Sequence, residues 1–541
     1  MVILGINGGT RAGYMDVAAA LVVDGKLVSA IEEERLNRIK HSPGQLPYLS
    51  IQHVLKASGL SIHDVDVVAT HGETWGVEYL NVLKDYFKYH FGYCPRIERV
   101  HHHTAHAASS YLNSGFREAL ILTVDNSGDG ISTQVAIGSE RDIKIIHREE
   151  RPNSLGIFYS MMTQFCGFRR EFDEFKLMGL AAYGTADTYD LSSILSLSGQ
   201  GKYQVNEKFL VKIPTGSPSP NRQQPLFNHH LPALLGDCRI PGSPITTKFK
   251  DVAASVQKRL EEALTHLISH YSKETGINTI CLAGGVALNS AANGKISEMD
   301  FVHGLYIPPF SGDAGVAIGA AQYTALAAGS SIVPSKSAYL GGEWSNEHLS
   351  MIFKKYKLKT LEIHDPAAKA SDLITQNKVI GWFQGAAEFG PRALGNRSIL
   401  ANPRNPNIKD LINKQIKNRE TFRPLCPSVL EEDFRKFANT KRSSTPYMTM
   451  ALNTKEGIDE SVPCVIHKDQ TARFQTVTKE QNDLYYNLLL KMKEKNGIGM
   501  LLNTSFNTNG APIVNDPAEA IASFFSSGLD ALIIGNYLLE K

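Results

Sequence analysis

The segment VHHHTAHAASSYL places His102 and His106 four residues apart, so on a helix both imidazoles share one face and can reach a single ion. His103, one position on, points elsewhere. Two imidazoles need further ligands, and a carboxylate at the end of a buried strand brings one with a fixed direction: Asp125 directly follows the apolar run ALILTV. Asp313, in PPFSGDAGVAIGAA, is the candidate for another. Two imidazoles with two carboxylates make a hard-to-borderline site suited to Fe2+, Mn2+ or Zn2+, with no choice among them made by the ligand types, and leave room for water or a phosphate oxygen. An isolated HxxxH pair is more often a helix surface or a satisfied core group. Its company here argues for the metal.

Asp125 opens the turn DNSGDG, where Gly128 and Gly130 let backbone amides approach phosphate oxygens and Asn126 adds a polar contact. Further on, Gly284 and Gly285 follow the strand TICLA and precede a helical pattern, the arrangement in which a helix N-terminus faces a phosphate. Asn289 and Asn293 are candidate polar contacts to the same nucleotide. Glycines after a strand also serve tight helix packing, so this signal is weak by itself. No Walker GxxxxGK[ST] run and no GxGxxG unit is present, which excludes the ordinary P-loop and dinucleotide-binding classes.

The elements that must position these residues read as α/β. Short apolar strands end in glycine-rich turns at VILGINGG, ALILTVDNSGDG and TICLAGGVALNS. Helical periodicity runs through DVAASVQKRLEEALTHLISHYSKETG from Asp251 and closes at Gly276. A Ser-, Pro- and Gly-rich excursion spans Gly216 to Pro244 and could shape an acceptor pocket. The best domain boundary falls near residue 338, within AAGSSIVPSKSAYLGGEWS, giving domains 1–338 and 339–541. The second carries the amphipathic stretch NDLYYNLLLKMKEK and the strand-like ALIIGNYLLE. No repeat at a fixed period is visible.

The chain has 541 residues, 42% hydrophobic and 20% charged, too long for one hydrophobic core. A net charge of +2 with dispersed Lys and Arg offers no nucleic-acid stripe and no polybasic membrane patch, so small-molecule substrates are the expected partners. Nothing approaches the roughly 18 apolar residues of a spanning helix, and the start has no charged n-region, so a cytoplasmic protein is expected. Association into a homo-oligomer stays open. The six cysteines are far apart and read as reduced.

Taken in order, EEERLNRIKH, HHxAHAAS, DNSGDG, FKLMGLAAYG, AGGVALN, SGDAGVAIGAA, FGPRALGNRSILA, IKNRETFRPLCPSVL and NTSFN resemble the O-carbamoyltransferases of nodulation-factor, cephalosporin and aminoglycoside biosynthesis. The resemblance spans nearly the whole chain. It implies an N-terminal domain of the actin and sugar-kinase superfamily and a C-terminal domain resembling the YrdC fold. It further implies that carbamoyl phosphate is bound by the second domain, that carbamate is joined to ATP as carbamoyladenylate, and that the metal-bearing domain passes the carbamoyl group to an acceptor hydroxyl of a sugar or specialised metabolite. Position by position, it carries the metal ligands to His102, His106, Asp125 and Asp313, and the nucleotide region to Gly128, Gly284, Gly285 and Asn289. Lys40, after EEER, matches a phosphate-contacting position. Arg392 and Lys417 match the cations that hold carbamoyl phosphate, with Arg419, Arg423 and Met448 as neighbours. Without that likeness, KNRETFR reads as a solvated face.

Three departures qualify the likeness. Met15 stands in MDVAAAL where the family usually has a histidine able to deprotonate the acceptor, so Asp16, His41 or His103 must take over that role unless the acceptor needs no base. Ala386 replaces an arginine, and Asn509-Gly510-Ala511-Pro512 replaces RGEP. Two missing cations leave two other readings open: an adenylating ligase or acyl transferase of the same fold with a changed donor, and a non-catalytic nucleotide-binding partner.

Overall fold

The structure is a computed structural model that describes residues 1–10, 14–140, 142–212, 224–508 and 510–541. The chain begins with an apolar strand, β1 (Val2–Asn7), followed by β2 (Ala18–Val23), β3 (Lys26–Glu32), β4 (Val67–Thr70) and β5 (Arg96–Arg99). They form one sheet in the order β3-β2-β1-β4-β5, antiparallel among the first three and parallel from β1 through β4 to β5. The next sheet repeats that plan. Its strands are β6 (Glu118–Gly128), β7 (Ile131–Ser139), β8 (Asp142–Glu150), β11 (Thr279–Ala283) and β12 (Gly304–Tyr306), with a small hairpin of β9 (Leu195–Leu197) and β10 (Tyr203–Val205) inserted between β8 and β11. The order β8-β7-β6-β11-β12 has the same antiparallel and parallel pairings. In this duplicated sheet each half runs three antiparallel strands and then two parallel ones.

Helices His102–Ser114 and Ala314–Ala327 cross between the two halves. A Cβ at Gly319 would lie 1.8 Å from the Ala105 carbonyl oxygen, so glycine alone permits this approach of the two backbones. That crossing brings the His102 and His106 turn of one helix to the Asp313 end of the other.

The remaining strands are β13 (Leu361–Glu362), β14 (Ile380–Phe383), β15 (Arg397–Ala401), β16 (Cys426–Leu430), β17 (Leu452–Asn453), β18 (Thr471–Ala472), β19 (Gln475–Val477), β20 (Met500–Ser505), β21 (Ala531–Ile534) and β22 (Tyr537–Glu540). Eight of them form a mixed sheet ordered β13-β22-β21-β14-β15-β20-β16-β19, and β17 and β18 pair separately. The stretch ALIIGNYLLE is two antiparallel strands rather than one, because the chain reverses at Gly535 and Asn536 between them, with Gly535 at φ +53°. The pattern from Asp251 lies in the helix Thr247–Thr275, closed by Gly276 at φ +74°. Buried Leu120, Phe158 and Leu282 belong to the same apolar cluster as Phe383, Val429 and Phe524, so a continuous core joins the first sheets to the last. Among the described residues, no helix is long and apolar enough to cross a membrane.

Candidate functional site

Four side chains converge where the crossed helices meet β6. The Nε2 atoms of His102 and His106 each lie 3.2 Å from Asp125 Oδ2, and 3.6 and 3.3 Å from Asp313 Oδ1. The pairing of β6 with β7 breaks between Val124 and Gly128, and this irregularity frees Asp125 from the ladder. A Cβ on Gly128 would lie 2.0 Å from the His102 ring, so this glycine makes room for the ligand.

The donor atoms of the four residues all fall within 4.8 Å of one another. The two imidazole Nε2 atoms are only 3.1 Å apart, and His106 Nδ1 is buried without a partner. Although burial disfavours its charged form, His106 is pushed up to about 9 by Asp125 and Asp313. Burial raises the Asp313 carboxyl, and the neighbouring Asp125 carboxylate raises it further. Two carboxylates and two imidazole nitrogens therefore point at one centre. This donor set fits a divalent cation.

The support for these ligands is local. Asp129 Oδ2 accepts the N–H of His102 at 2.9 Å and of Gly72 at 3.3 Å, while its Oδ1 accepts from Thr74 N and Oγ1 at 3.1 and 2.8 Å. It therefore caps the ligand helix and holds the 72–74 loop. Burial opposes its ionisation, yet these bonds hold the Asp129 carboxyl down to about 2. His103 is unsuited to act as a base. Its Nε2–H donates to the Ile131 carbonyl at 3.0 Å, its Nδ1 accepts from Thr123 Oγ1 at 2.7 Å, and it is fully buried.

The other two candidate bases stand together. His41 Nδ1 donates to Asp16 Oδ1 at 2.6 Å, and Asp16 N–H donates to the His41 carbonyl at 2.9 Å. Both backbones are left-handed, at φ +62° and +55°, an arrangement fixed by its surroundings rather than by preference. Lys40 Nζ pairs with Glu34 Oε1 at 2.9 Å. All three residues, with Met15 and Asn126, line a cavity of about 2180 Å³ that also reaches His102, Asp125 and Asp313. Gln224, Pro225 and Leu226 from the long excursion border it as well. Residues 216–223 of that excursion lie outside the described residues.

The nucleotide candidates also have partners within the fold. Asn289 lines the cavity, but its Oδ1 caps the helix Ser290–Glu298 by accepting from Ala292 N at 3.0 Å, and its amide pairs with Gln257 at 2.9 Å in both directions. Asn293 donates to the carbonyls of Ala287 and Thr449 at 2.7 and 2.8 Å. Both amides are committed to the fold. Gly284, at φ +91°, is a packing glycine whose Cβ would lie 2.3 Å from the Val124 carbonyl oxygen, whereas Gly285 does border the cavity.

The same cavity is bounded at its other end by Arg392, Lys417, Arg419, Arg423 and Met448. Arg473, which the sequence did not single out, joins them and donates to Cys426 Sγ through Nε and Nη2 at 3.2 and 3.0 Å. Among the described residues, Lys417 Nζ donates to neutral acceptors: Ser505 O at 2.6 Å, Ser505 Oγ at 3.1 Å and Asn507 Oδ1 at 2.7 Å. Burial, then Arg419 and Arg423, hold its ammonium well below the usual lysine range. Burial, then Arg473, likewise push Arg392 down to about 9. Such a concentration of buried positive charge is suited to an anion. The Ala386 carbonyl accepts from Asn396 at 2.7 Å. Asn509 lies outside the described residues, while its neighbours Thr508, Gly510 and Ala511 border the cavity.

Residues 78–322 match the carbamoyltransferase N-terminus family and residues 371–541 the carbamoyltransferase C-terminus family. The chain belongs to the carbamoyltransferase family. This carbamoyltransferase is 36% identical to the nodulation protein NolNO of Sinorhizobium fredii, over 97% of its own length and 79% of that protein. The nodulation protein NolO of Bradyrhizobium diazoefficiens is 36% identical over 82% of the chain and 79% of its own length. An uncharacterized protein of Synechocystis is 33% identical over 98% of the chain and 96% of its own length. The carbamoyltransferase is thus an enzyme that transfers a carbamoyl group, with a metal-competent cluster and a cationic cluster opening into one cavity.

Proposed function

We propose that the enzyme binds carbamoyl phosphate at the Arg392, Lys417, Arg419, Arg423 and Arg473 cluster and ATP toward the His102, His106, Asp125 and Asp313 end. Carbamoyl phosphate is cleaved with water to carbamate and inorganic phosphate. A carbamate oxygen then attacks the α-phosphorus of ATP, forming carbamoyladenylate and releasing pyrophosphate. An acceptor hydroxyl attacks the carbamoyl carbon, and AMP leaves. The observation that carries this reading is the single cavity shared by the two clusters, which gives carbamate a direct path from one to the other.

The chain's own residues divide the work. The guanidinium forks and the Lys417 ammonium neutralise the donor phosphate. A bound divalent cation, Fe2+ first among the candidates, would supply Lewis-acid stabilisation of oxygen charge near the ATP phosphates. His41, with Nδ1 donating to Asp16, keeps its basic lone pair on Nε2 and takes the acceptor hydroxyl proton. This assignment fills the role left by Met15. The acceptor is a hydroxyl of a sugar or specialised metabolite bound on the Gln224–Leu226 side of the cavity.

The test is mass spectrometry of the metal-loaded enzyme with ATP, Mg2+ and isotopically labelled carbamoyl phosphate, without acceptor. Labelled carbamoyladenylate and pyrophosphate are expected. Their absence from an enzyme that binds ATP and metal would refute the donor assignment and point to another carboxylate-like donor.

A further inference from the structure

Gly390 is gripped at both its N–H and its carbonyl by the opposite half of the chain. Its N–H donates to Glu32 Oε1 at 2.7 Å, and its carbonyl accepts from Arg35 Nη2 at 2.7 Å. Arg35 closes the ring onto the same Glu32 oxygen at 3.3 Å, and both charged side chains are buried. Gly390 sits at φ +117°, and a Cβ there would lie 2.4 Å from the Pro309 carbonyl oxygen, four residues before Asp313. Arg392 follows two residues later. From the inner side, Glu388 Oε1 accepts from Leu394 N at 2.6 Å and Asn396 N at 2.9 Å, folding the loop that carries Arg392.

A second clamp holds the other donor cations. Lys176 Nζ pairs with Glu420 Oε1 at 3.0 Å and with Asp173 Oδ1 at 3.2 Å, and Glu420 stands in the chain between Arg419 and Arg423. Burying the Glu32 and Arg35 charges is costly, and an apolar pair would hold two packed surfaces as well. An apolar pair could not fix the N–H and the carbonyl of one residue in a single orientation. Both clamps reach from the first half of the chain to a residue close in sequence to a donor arginine, at the backbone of Gly390 in one and at the Glu420 carboxylate in the other.

We propose that Glu32, Arg35 and Lys176 are positioning residues that set the donor arginines from the other half of the molecule, so that the donor site is complete only while the halves are docked. This rests on reading the arginine cluster as the carbamoyl phosphate site. In the full-length, metal-loaded enzyme, Glu32→Gln, Arg35→Lys and Lys176→Met are expected to raise the KM for carbamoyl phosphate and the inhibition constant of inorganic phosphate together, by about tenfold. The KM for ATP and the metal content stay at the parental values, and kcat at saturating donor is retained. A role in stability alone would lower Tm and the active fraction without separating these constants. Should Arg35→Lys fail to fold, Lys176→Met decides the matter at the second clamp. Folded variants with parental constants for carbamoyl phosphate and phosphate would overturn the inference while leaving the donor reading intact. A parental enzyme that does not consume carbamoyl phosphate would overturn both.

Discussion

His41 Nδ1 lies 2.6 Å from Asp16 Oδ1, a pairing that sets the imidazole tautomer with Nε2 as the free ring nitrogen of a residue that lines the shared cavity. If His41 deprotonates the acceptor, His41→Ala slows transfer to a hydroxyl by about 10²–10⁴-fold. Donor-dependent pyrophosphate release, which needs no acceptor, continues unchanged. Asp16→Asn gives a smaller loss, because the ring keeps its lone pair but not its orientation. Parallel single-turnover and pyrophosphate assays check this; an equal loss in both would place His41 in the donor half-reaction instead.

The metal cluster makes a stoichiometric prediction. The enzyme reconstituted with Fe2+, Mn2+ or Zn2+ is expected to hold one ion per chain, and His106→Ala or Asp125→Asn to weaken retention by more than about 100-fold. Asp129→Asn should weaken it less, since Asp129 holds the His102 backbone rather than pointing at the ion centre. Elemental analysis after desalting measures each, and full occupancy in His106→Ala would contradict the ligand set.

Among the described residues Lys417 meets neutral acceptors and no carboxylate. If Lys417 holds the donor phosphate, as proposed, Lys417→Met is expected to cost about 1–3 kcal/mol of carbamoyl phosphate binding. The pH dependence follows from its depressed pKa: below that pKa the ammonium binds the anion, and above it the neutral amine does not. The KM for carbamoyl phosphate should therefore rise with pH before ordinary lysines titrate, and Lys417→Met should lack that limb. Steady-state kinetics across alkaline pH in both forms provide the comparison.

How far these sites were legible depended on whether the geometry was local. His102 and His106 could be paired because a helix fixes the four-residue spacing on one face, and Asp125 because a buried strand directs the residue at its end. The α/β class followed from short apolar strands and amphipathic helices, but the duplicated sheet order could not, since strand neighbours are chosen by tertiary packing. Asn289 could not be resolved from sequence because an amide at a helix start serves a cap as readily as a nucleotide, and the Gln257 contact that engages it comes from a distant helix. Arg473 and Asp129 were hidden for the same reason. Each acts on residues far away in the chain, Cys426 for one and the 72–74 loop for the other. The run EEERLNRIKH carried a recognisable pattern, yet its mechanical role needed Gly390, more than 300 residues on, to be seen beside it.

That same run supplies a prediction about acid stability. Burial opposes ionisation of Glu34, but Arg35, then Lys40 and His41, hold its carboxyl down to about 2 from an ordinary value of 4.5. Because the folded-state pKa is the lower one, its contribution is fully present above pH 4.5 and is lost as the pH falls from there toward 2. The shift corresponds to about 3 kcal/mol at neutral pH. Glu34→Gln should accordingly be less stable than the parent at pH 7, and the gap between their unfolding free energies should begin to close below pH 4.5. Urea unfolding of both proteins at pH 7, 5 and 4 tests this. A gap that persists unchanged into the acid range would mean that Glu34 stabilises the fold by shape and hydrogen bonding rather than by its charge among Arg35, Lys40 and His41.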